Sequence, residues 1–228
     1  MLLYMTLNFN HAYNIHLRKK ENSLFFKQWI KHPGRLGTLA PISVRLATSA
    51  AAPIDANERA VEIGAGTGRL TRALLEKGIH PHNLAVVELD SSLTTFLKKT
   101  LPGLYDGQTP FPHIIEGDAT YLDTLIPAEW VGTVDTVVSA IPLMYLEKKQ
   151  RLAIIDAAFN VLKPGGRIIH VTYSPKSPIE FSTAINQTRT ASLWMNIPPG
   201  FVWTYTQKEV TNAQTEGVTQ YEAQRRYS

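Results

Sequence analysis

Residues 61–70 read VEIGAGTGRL, and the rest of the chain falls into place around them. An apolar run, RAVEI, precedes the stretch and a helix-like run, RLTRALLEK, follows it. Gly64, Gly66 and Gly68 let the backbone turn sharply and approach a ligand closely, because no Cβ intervenes. The helix N-terminus behind them favours a carboxylate or phosphate. A dinucleotide fingerprint puts its third glycine at position 69, where this chain has Arg69. The spacing is therefore GxGxG, with Glu62 two residues ahead of it.

Outward from this loop, apolar β-branched runs recur at 59–63, 83–89, 112–116, 134–139 and 166–173. Helix-like segments lie between them at about 67–78, 91–100, 121–126 and 147–162. Strands alternating with helices of this length predict right-handed βαβ crossovers and a Rossmann-like α/β fold, a mostly parallel sheet with helices on both faces. Pro164–Gly165–Gly166 should stop the last of these helices before an apolar strand. A helix is expected at about 178–188. Residues 192–206, SLWMNIPPGFVWTYT, read as a hairpin around Pro198–Pro199–Gly200 that completes seven strands. The chain divides into an arm at 1–52, a core at 53–206 and a polar tail at 207–228.

Composition bounds the function. At 228 residues and 44% hydrophobic, the chain is long enough for one well-buried core. It has no cysteine, so disulfides and thiolate metal sites are excluded, and a reducing cytoplasm is the expected setting. Its histidines show no metal-ligand spacing, and no metal is expected. The apolar runs fall far short of the roughly 20 residues that span a bilayer. Net charge is +4, unevenly placed: residues 1–45 hold seven Lys or Arg and one acid, the remainder 16 basic and 18 acidic residues. In residues 21–32, ENSLFFKQWIKH, Phe25, Phe26, Trp29 and Ile30 share a helical stripe with lysines beside it. A second helix should run from near Pro41 to Ala52. The basic arm suggests an anionic partner, phospholipid or nucleic acid, although a solvated surface helix has the same composition.

The acids at the strand ends select the ligand. A carboxylate two residues before the loop repels a pyrophosphate but complements the amino group or sulfonium of S-adenosylmethionine. Glu88 ends the second strand, placed to accept from both ribose hydroxyls. Asp118, in EGDAT, follows the third strand where an adenine amino group can donate to it; the competing reading is a turn residue or helix N-cap. Asp90 and Ser91 read as caps. Glu62, the glycines, Glu88 and Asp118 together predict an S-adenosylmethionine-dependent methyltransferase.

The fourth strand bears on the substrate. Amino methylation of nucleobases commonly uses an Asn or Asp, a Pro and an aromatic residue there. The matching positions are Ser139, Ala140, Ile141, Pro142 and Leu143, which argues against an exocyclic base amine. SAIPL (139–143), TYSPKSPI (172–179), NIPPGFVWTY (196–205) and FFKQWIKHPGRLGTLAPIS (25–43) together resemble the bacterial phospholipid N-methyltransferase family, over about residues 20–206. Residues 1–20 and the tail fall outside the resemblance. It implies stepwise methylation of phosphatidylethanolamine towards phosphatidylcholine by a peripheral protein on the inner face of the cytoplasmic membrane. Its N-terminal helix would dock on an anionic surface, and no nucleic acid partner is expected. The alternatives are another amine lipid, such as ornithine lipid, and an rRNA adenine dimethyltransferase sharing the core.

On that reading Gly37, Thr38, Ser43, Leu89, Gly117, Ala119, Ser139 and Ala140 join the acids and glycines around the cofactor. Ser139 and Tyr173 orient the amine and pass on its proton. Ile141, Pro142 and Tyr145 shape the substrate channel, with Tyr145 or Tyr173 holding the methylated amine by cation–π attraction. Ser177, Lys31 and Arg35 are candidates for the lipid phosphate. Oligomeric state stays open.

Overall fold

The computed structural model of the protein describes residues 42–101, 112–179 and 184–208. The expected helix at 21–32, Lys31, Arg35, Gly37, Thr38 and the tail beyond Lys208 lie outside the described residues. Five parallel strands, β1 (Ala60–Ile63), β2 (Leu84–Glu88), β3 (His113–Glu116), β4 (Val134–Ser139) and β5 (Leu162–Thr172), follow the expected alternation. Two more, β6 (Ile185–Leu193) and β7 (Gly200–Gln207), complete a seven-stranded sheet of order β3-β2-β1-β4-β5-β7-β6, with β7 antiparallel to both neighbours. This is the Rossmann-like α/β architecture the sequence predicts, a mostly parallel sheet covered by helices on both faces.

The inner strands β1 and β2 are buried at every position, which is why AVEI and LAVVE do not alternate apolar and polar residues; each carries one buried acid, Glu62 and Glu88. Helices α1 (Val44–Ala51), α2 (Arg69–Lys77) and α3 (Ser91–Thr100) cover one face. The short α4 (Leu122–Leu125) and the longer α5 (Lys148–Val161) cover the other. Local signals set the helix starts. Ser43 accepts from the Leu46 N–H and caps α1, and Asp90 accepts from the Ser92 and Leu93 N–H groups and caps α3.

Two sequence expectations are corrected. The helix expected over 178–188 is absent at its C-terminal end, where β6 begins at Ile185; INQTRTASL forms the outer edge of the sheet, so its polar residues meet solvent instead of a core. The last strand of the parallel set starts at Leu162, before the Pro164–Gly165–Gly166 turn, and carries an irregularity opposite Val134 and Thr136. Helix α1, grouped by sequence with the arm, packs on the core through the fully buried Leu46, Ala47, Ala50 and Ala51. Full burial of Leu46 alone is worth about 1.5–3 kcal/mol.

Candidate functional site

All five parallel strands end on one edge of the sheet, and a cavity of about 620 Å³ opens there. Such a position at the carboxyl ends, between β1 and β4 where strand order reverses, is where open α/β sheets bind ligands. The glycine loop forms the floor. Gly66 has φ +59°, a region costly for residues with a side chain, and a Cβ there would meet no protein atom. The empty side of that residue is ligand space. At Gly64, φ +74°, a Cβ would sit 2.5 Å from Ile141 Cγ1, so its absence lets the loop after β4 close against the loop after β1.

Glu88 organises this floor. Its Oε2 accepts from the Gly66 N–H at 2.7 Å and its Oε1 from the Asp90 N–H at 2.9 Å, tying loop and strand end together. Each oxygen retains a further lone pair for a ligand hydroxyl. Burial pushes its carboxyl above the usual range, and the backbone donors of Asp90 and Gly66 oppose that shift. Asp118 accepts from both the N–H and the hydroxyl of Thr120 through Oδ1, so it is at once the N-cap of a short 3-10 turn and a wall of the cavity. Leu89, Gly117, Ala119, Ala140, Ile141, Pro142 and Tyr145 complete the wall as expected from sequence.

Glu62 is placed differently. It is wholly buried behind the loop and does not contribute to the wall. Neither of its oxygens has a hydrogen-bond partner. Burial, with the Glu88 charge in support, raises its carboxyl to about 7; Thr71 and Arg72 of α2 pull the other way without reaching hydrogen-bond geometry. An unpaired interior acid of this kind complements a cation through its field rather than by contact.

Several expected residues stand outside the cavity wall. Gly68, Ser43 and Tyr173 are among them: Gly68 caps α2, Ser43 caps α1, and Tyr173 packs half-buried with the core beneath that helix. Burial raises the Tyr173 phenol, opposed by the Ser43 backbone and by Arg69. Ser139 is buried, its Oγ accepting from the Ile141 N–H at 3.3 Å. Ser177 is committed to the fold, with its hydroxyl 2.9 Å from the Tyr205 hydroxyl and 2.8 Å from the Ile179 carbonyl. Ser139, Tyr173 and Ser177 thus lie outside the cavity wall, with the Ser139 and Ser177 hydroxyls engaged in internal hydrogen bonds.

Other wall residues escaped the sequence reading: Ile42, Thr67, Arg69, Glu147 and Gln150. Arg69 opens α2 and donates to the Ile42 carbonyl at 3.0 Å, bringing a cation to the helix N-terminus. Glu147, the residue before α5, brings a carboxylate to the mouth beside the exposed Tyr145. For Thr67 and Arg69 a signal was available, since the first turn after a parallel strand lies at this edge; Ile42, Glu147 and Gln150 come from segments farther from a strand end in the chain. Among the described residues no group of three or more His, Asp or Glu could hold a metal.

These residues fit S-adenosylmethionine. Glu88 would take the ribose hydroxyls, Asp118 Oδ2 the adenine amino group, and Arg69 with the α2 N-terminus the methionyl carboxylate, over the open side of Gly66. The bound cofactor supplies a methyl carbon on a sulfonium, made electrophilic by that charge.

Comparison with known proteins agrees. Residues 61–168 match the family described as "Methyltransferase domain". An ornithine lipid N-methyltransferase of Singulisphaera acidiphila is 28% identical over 159 residues, covering 68% of this chain and 80% of that protein. A TehB-like S-adenosylmethionine-dependent methyltransferase of Corynebacterium glutamicum superposes with a TM-score of 0.52 at 15% identity, over 82% of this chain and 97% of the other. Magnesium protoporphyrin IX methyltransferase of Synechocystis, solved with bound S-adenosylmethionine, gives 0.52 at 14%, over 72% and 76%. Residues 61–168 thus match a methyltransferase domain, the fold is the one shared with these methyltransferases, and the comparisons support S-adenosylmethionine as the cofactor.

Proposed function

We propose that the protein methylates the amine of a membrane lipid, with phosphatidylethanolamine and its mono- and dimethyl derivatives as the first candidates. The observation that carries this reading is the substrate side of the cavity. Ala140, Ile141 and Pro142 form a wall without the acid or amide of a nucleobase clamp, and one carboxylate, Glu147, stands at the mouth beside Tyr145. Ornithine lipid is the second reading, supported by the name of the Singulisphaera relative. Both substrates present a primary amine on a lipid, and Glu147 would attract the ammonium of either.

The attacking nitrogen must lose its proton before an in-line displacement. Desolvation against Ile141 and Pro142, and a neighbouring positive charge, both favour the neutral amine. Glu147, the wall carboxylate not assigned to the cofactor, is placed to receive that proton, and Tyr145 to hold the methylated cation through its ring face. A peripheral position on the inner face of the cytoplasmic membrane, reached through the basic arm, is part of the same reading.

Incubation with labelled S-adenosylmethionine and separate vesicles of phosphatidylethanolamine or ornithine lipid, with ribosomal RNA in parallel, tests it. Label is expected in a lipid. Label in RNA alone overturns the proposal in favour of a base methyltransferase. Glu147→Gln should lower kcat/KM about tenfold or more on the preferred lipid while leaving cofactor affinity within about twofold, as for loss of one general base.

A further inference from the structure

The two edges of the sheet have opposite characters. At the amino edge the surface is ionic: Glu58 pairs with Arg167 at 2.7 Å, and Lys163 pairs with Asp135. At the carboxyl edge, around the cavity, large apolar side chains stand in water instead. Leu89, Tyr121 and Tyr145, the last 73% exposed, follow β2, β3 and β4 in turn. Among the described residues the two most exposed large apolar side chains, Met195 at 87% and Ile197 at 97%, lie in the turn joining β6 and β7, which also carries Trp194 at 66%. Because β7 runs antiparallel to β5, with Thr172 opposite Phe201 and Leu193 opposite Gly200, this turn projects beyond the same edge as the cavity mouth.

The turn is also built to tolerate an apolar medium. Its backbone closes on itself, the Asn196 N–H donating to the Leu193 carbonyl at 3.1 Å. The Asn196 side-chain amide donates to the Pro198 carbonyl at 2.6 Å. Pro198 and Pro199 carry no N–H at all. Three of the six residues in 194–199 thus present no free N–H to be desolvated, which lowers the cost of entering the interfacial region. Among the described residues the charge beside it is basic: β6 carries Arg189 and no carboxylate, and Lys176 stands exposed on the loop after β5, where Arg189 donates to the Pro175 carbonyl. Exposed Trp and Ile on a closed tip, with cations behind them, match the interfacial region of an anionic bilayer.

We propose that the β6–β7 turn, residues 194–199, inserts into an anionic lipid surface and seats the cavity mouth against the headgroups. The proposal rests on the amine-lipid reading for its purpose, and it assigns surface binding to a second element besides the basic arm. Insertion by this turn holds the carboxyl edge at headgroup level, so that an amine can enter past Tyr145 without its acyl chains leaving the bilayer.

The test uses the full chain and its Met195→Glu/Ile197→Glu variant, which keeps Trp194 as a reporter against the Phe201 ring, 5.3 Å away. Both are mixed with vesicles of phosphatidylglycerol and phosphatidylethanolamine. The wild type should co-sediment with a blue shift of tryptophan emission, and the variant should bind about tenfold more weakly or worse. Methylation of dihexanoyl phosphatidylethanolamine, kept below its micellar concentration, should differ by less than about twofold between them. Equal vesicle binding by the two proteins overturns the insertion proposal, as does a wild type that does not bind. Insertion is equally overturned if the substitutions alter only the melting temperature or self-association, which would place the turn against another part of this chain or a second copy. If vesicle binding falls in the variant but neither protein methylates the short-chain lipid or an ornithine lipid, the insertion stands and the substrate reading fails.

Discussion

At the scale of single residues, Glu88 and Glu62 divide the work of two carboxylates that look alike in the sequence. Glu88 is tied by two backbone donors and exposed to the cavity wall. Glu88→Ala should weaken S-adenosylmethionine binding by at least about 100-fold in calorimetry, since a hydrogen bond to a charged group is worth roughly 1.5–3 kcal/mol and two ribose bonds are lost. Retained affinity would remove the ribose assignment. Glu62 acts on stability instead. Its carboxyl rises from the ordinary 4.5 to about 7 in the folded protein. Below 4.5 both states hold the proton. Between 4.5 and 7 the folded state alone keeps it, so stability falls as pH rises through that window, and above 7 the penalty is constant. Glu62→Gln should therefore raise the melting temperature of the cofactor-free protein at pH 8, by on the order of 3 kcal/mol in stability, and change little at pH 4.5. A difference independent of pH would show that the effect is packing and not charge.

At the scale of elements, α1 is held by the start of β7. A Cβ on Gly200 would lie 2.6 Å from Leu46 Cδ2, and Leu46 is fully buried with nowhere to retreat. Gly200→Ala should cost about 1–3 kcal/mol by overpacking, and adding Leu46→Ala should recover part of the loss from the new substitution. Additive effects in denaturant unfolding would mean the two do not share a contact. This contact was illegible in the sequence, because it joins residues 154 positions apart and a glycine announces nothing about what lies over it. The inner parallel strands were legible for the opposite reason, since burial on both faces writes itself as a mostly apolar run without alternation. Strand β6 was not, because an outer strand with most of its side chains in solvent needs no such run. The site divides in the same way. The glycine loop, Glu88 and Asp118 follow from their place at strand ends, whereas Arg69 and Glu147 owe their roles to where α2 and α5 begin. Ser139, Tyr173 and Ser177 share strand-end positions yet turn to internal partners, and which way a side chain turns is settled by packing.

At the scale of the whole molecule, acid stability should hinge on one histidine in mid-sheet. His170 is buried between Ser139 on β4 and Trp203 on β7, with neither ring nitrogen bonded. Burial lowers its pKa from 6.5 to about 3. Above 6.5 it is neutral in both states; as pH falls towards 3 only the unfolded chain takes the proton, and stability is lost. Between 4.5 and 6.5 this slope opposes that of Glu62. His170→Phe should leave unfolding at pH 8 nearly unchanged and stabilise the protein at pH 5 by about 2 kcal/mol; destabilisation at both pH values would assign the residue a packing role alone. The order of the strands has a consequence of another kind. Strand β7 lies inside the sheet, with Phe201, Val202 and Tyr205 buried, yet it is the last of the seven to be synthesised. During translation β5 therefore waits with one flank open until residue 207 has cleared the ribosome. For that interval the nascent chain offers a long unpaired strand to its neighbours, so the final hairpin governs how safely the protein is made.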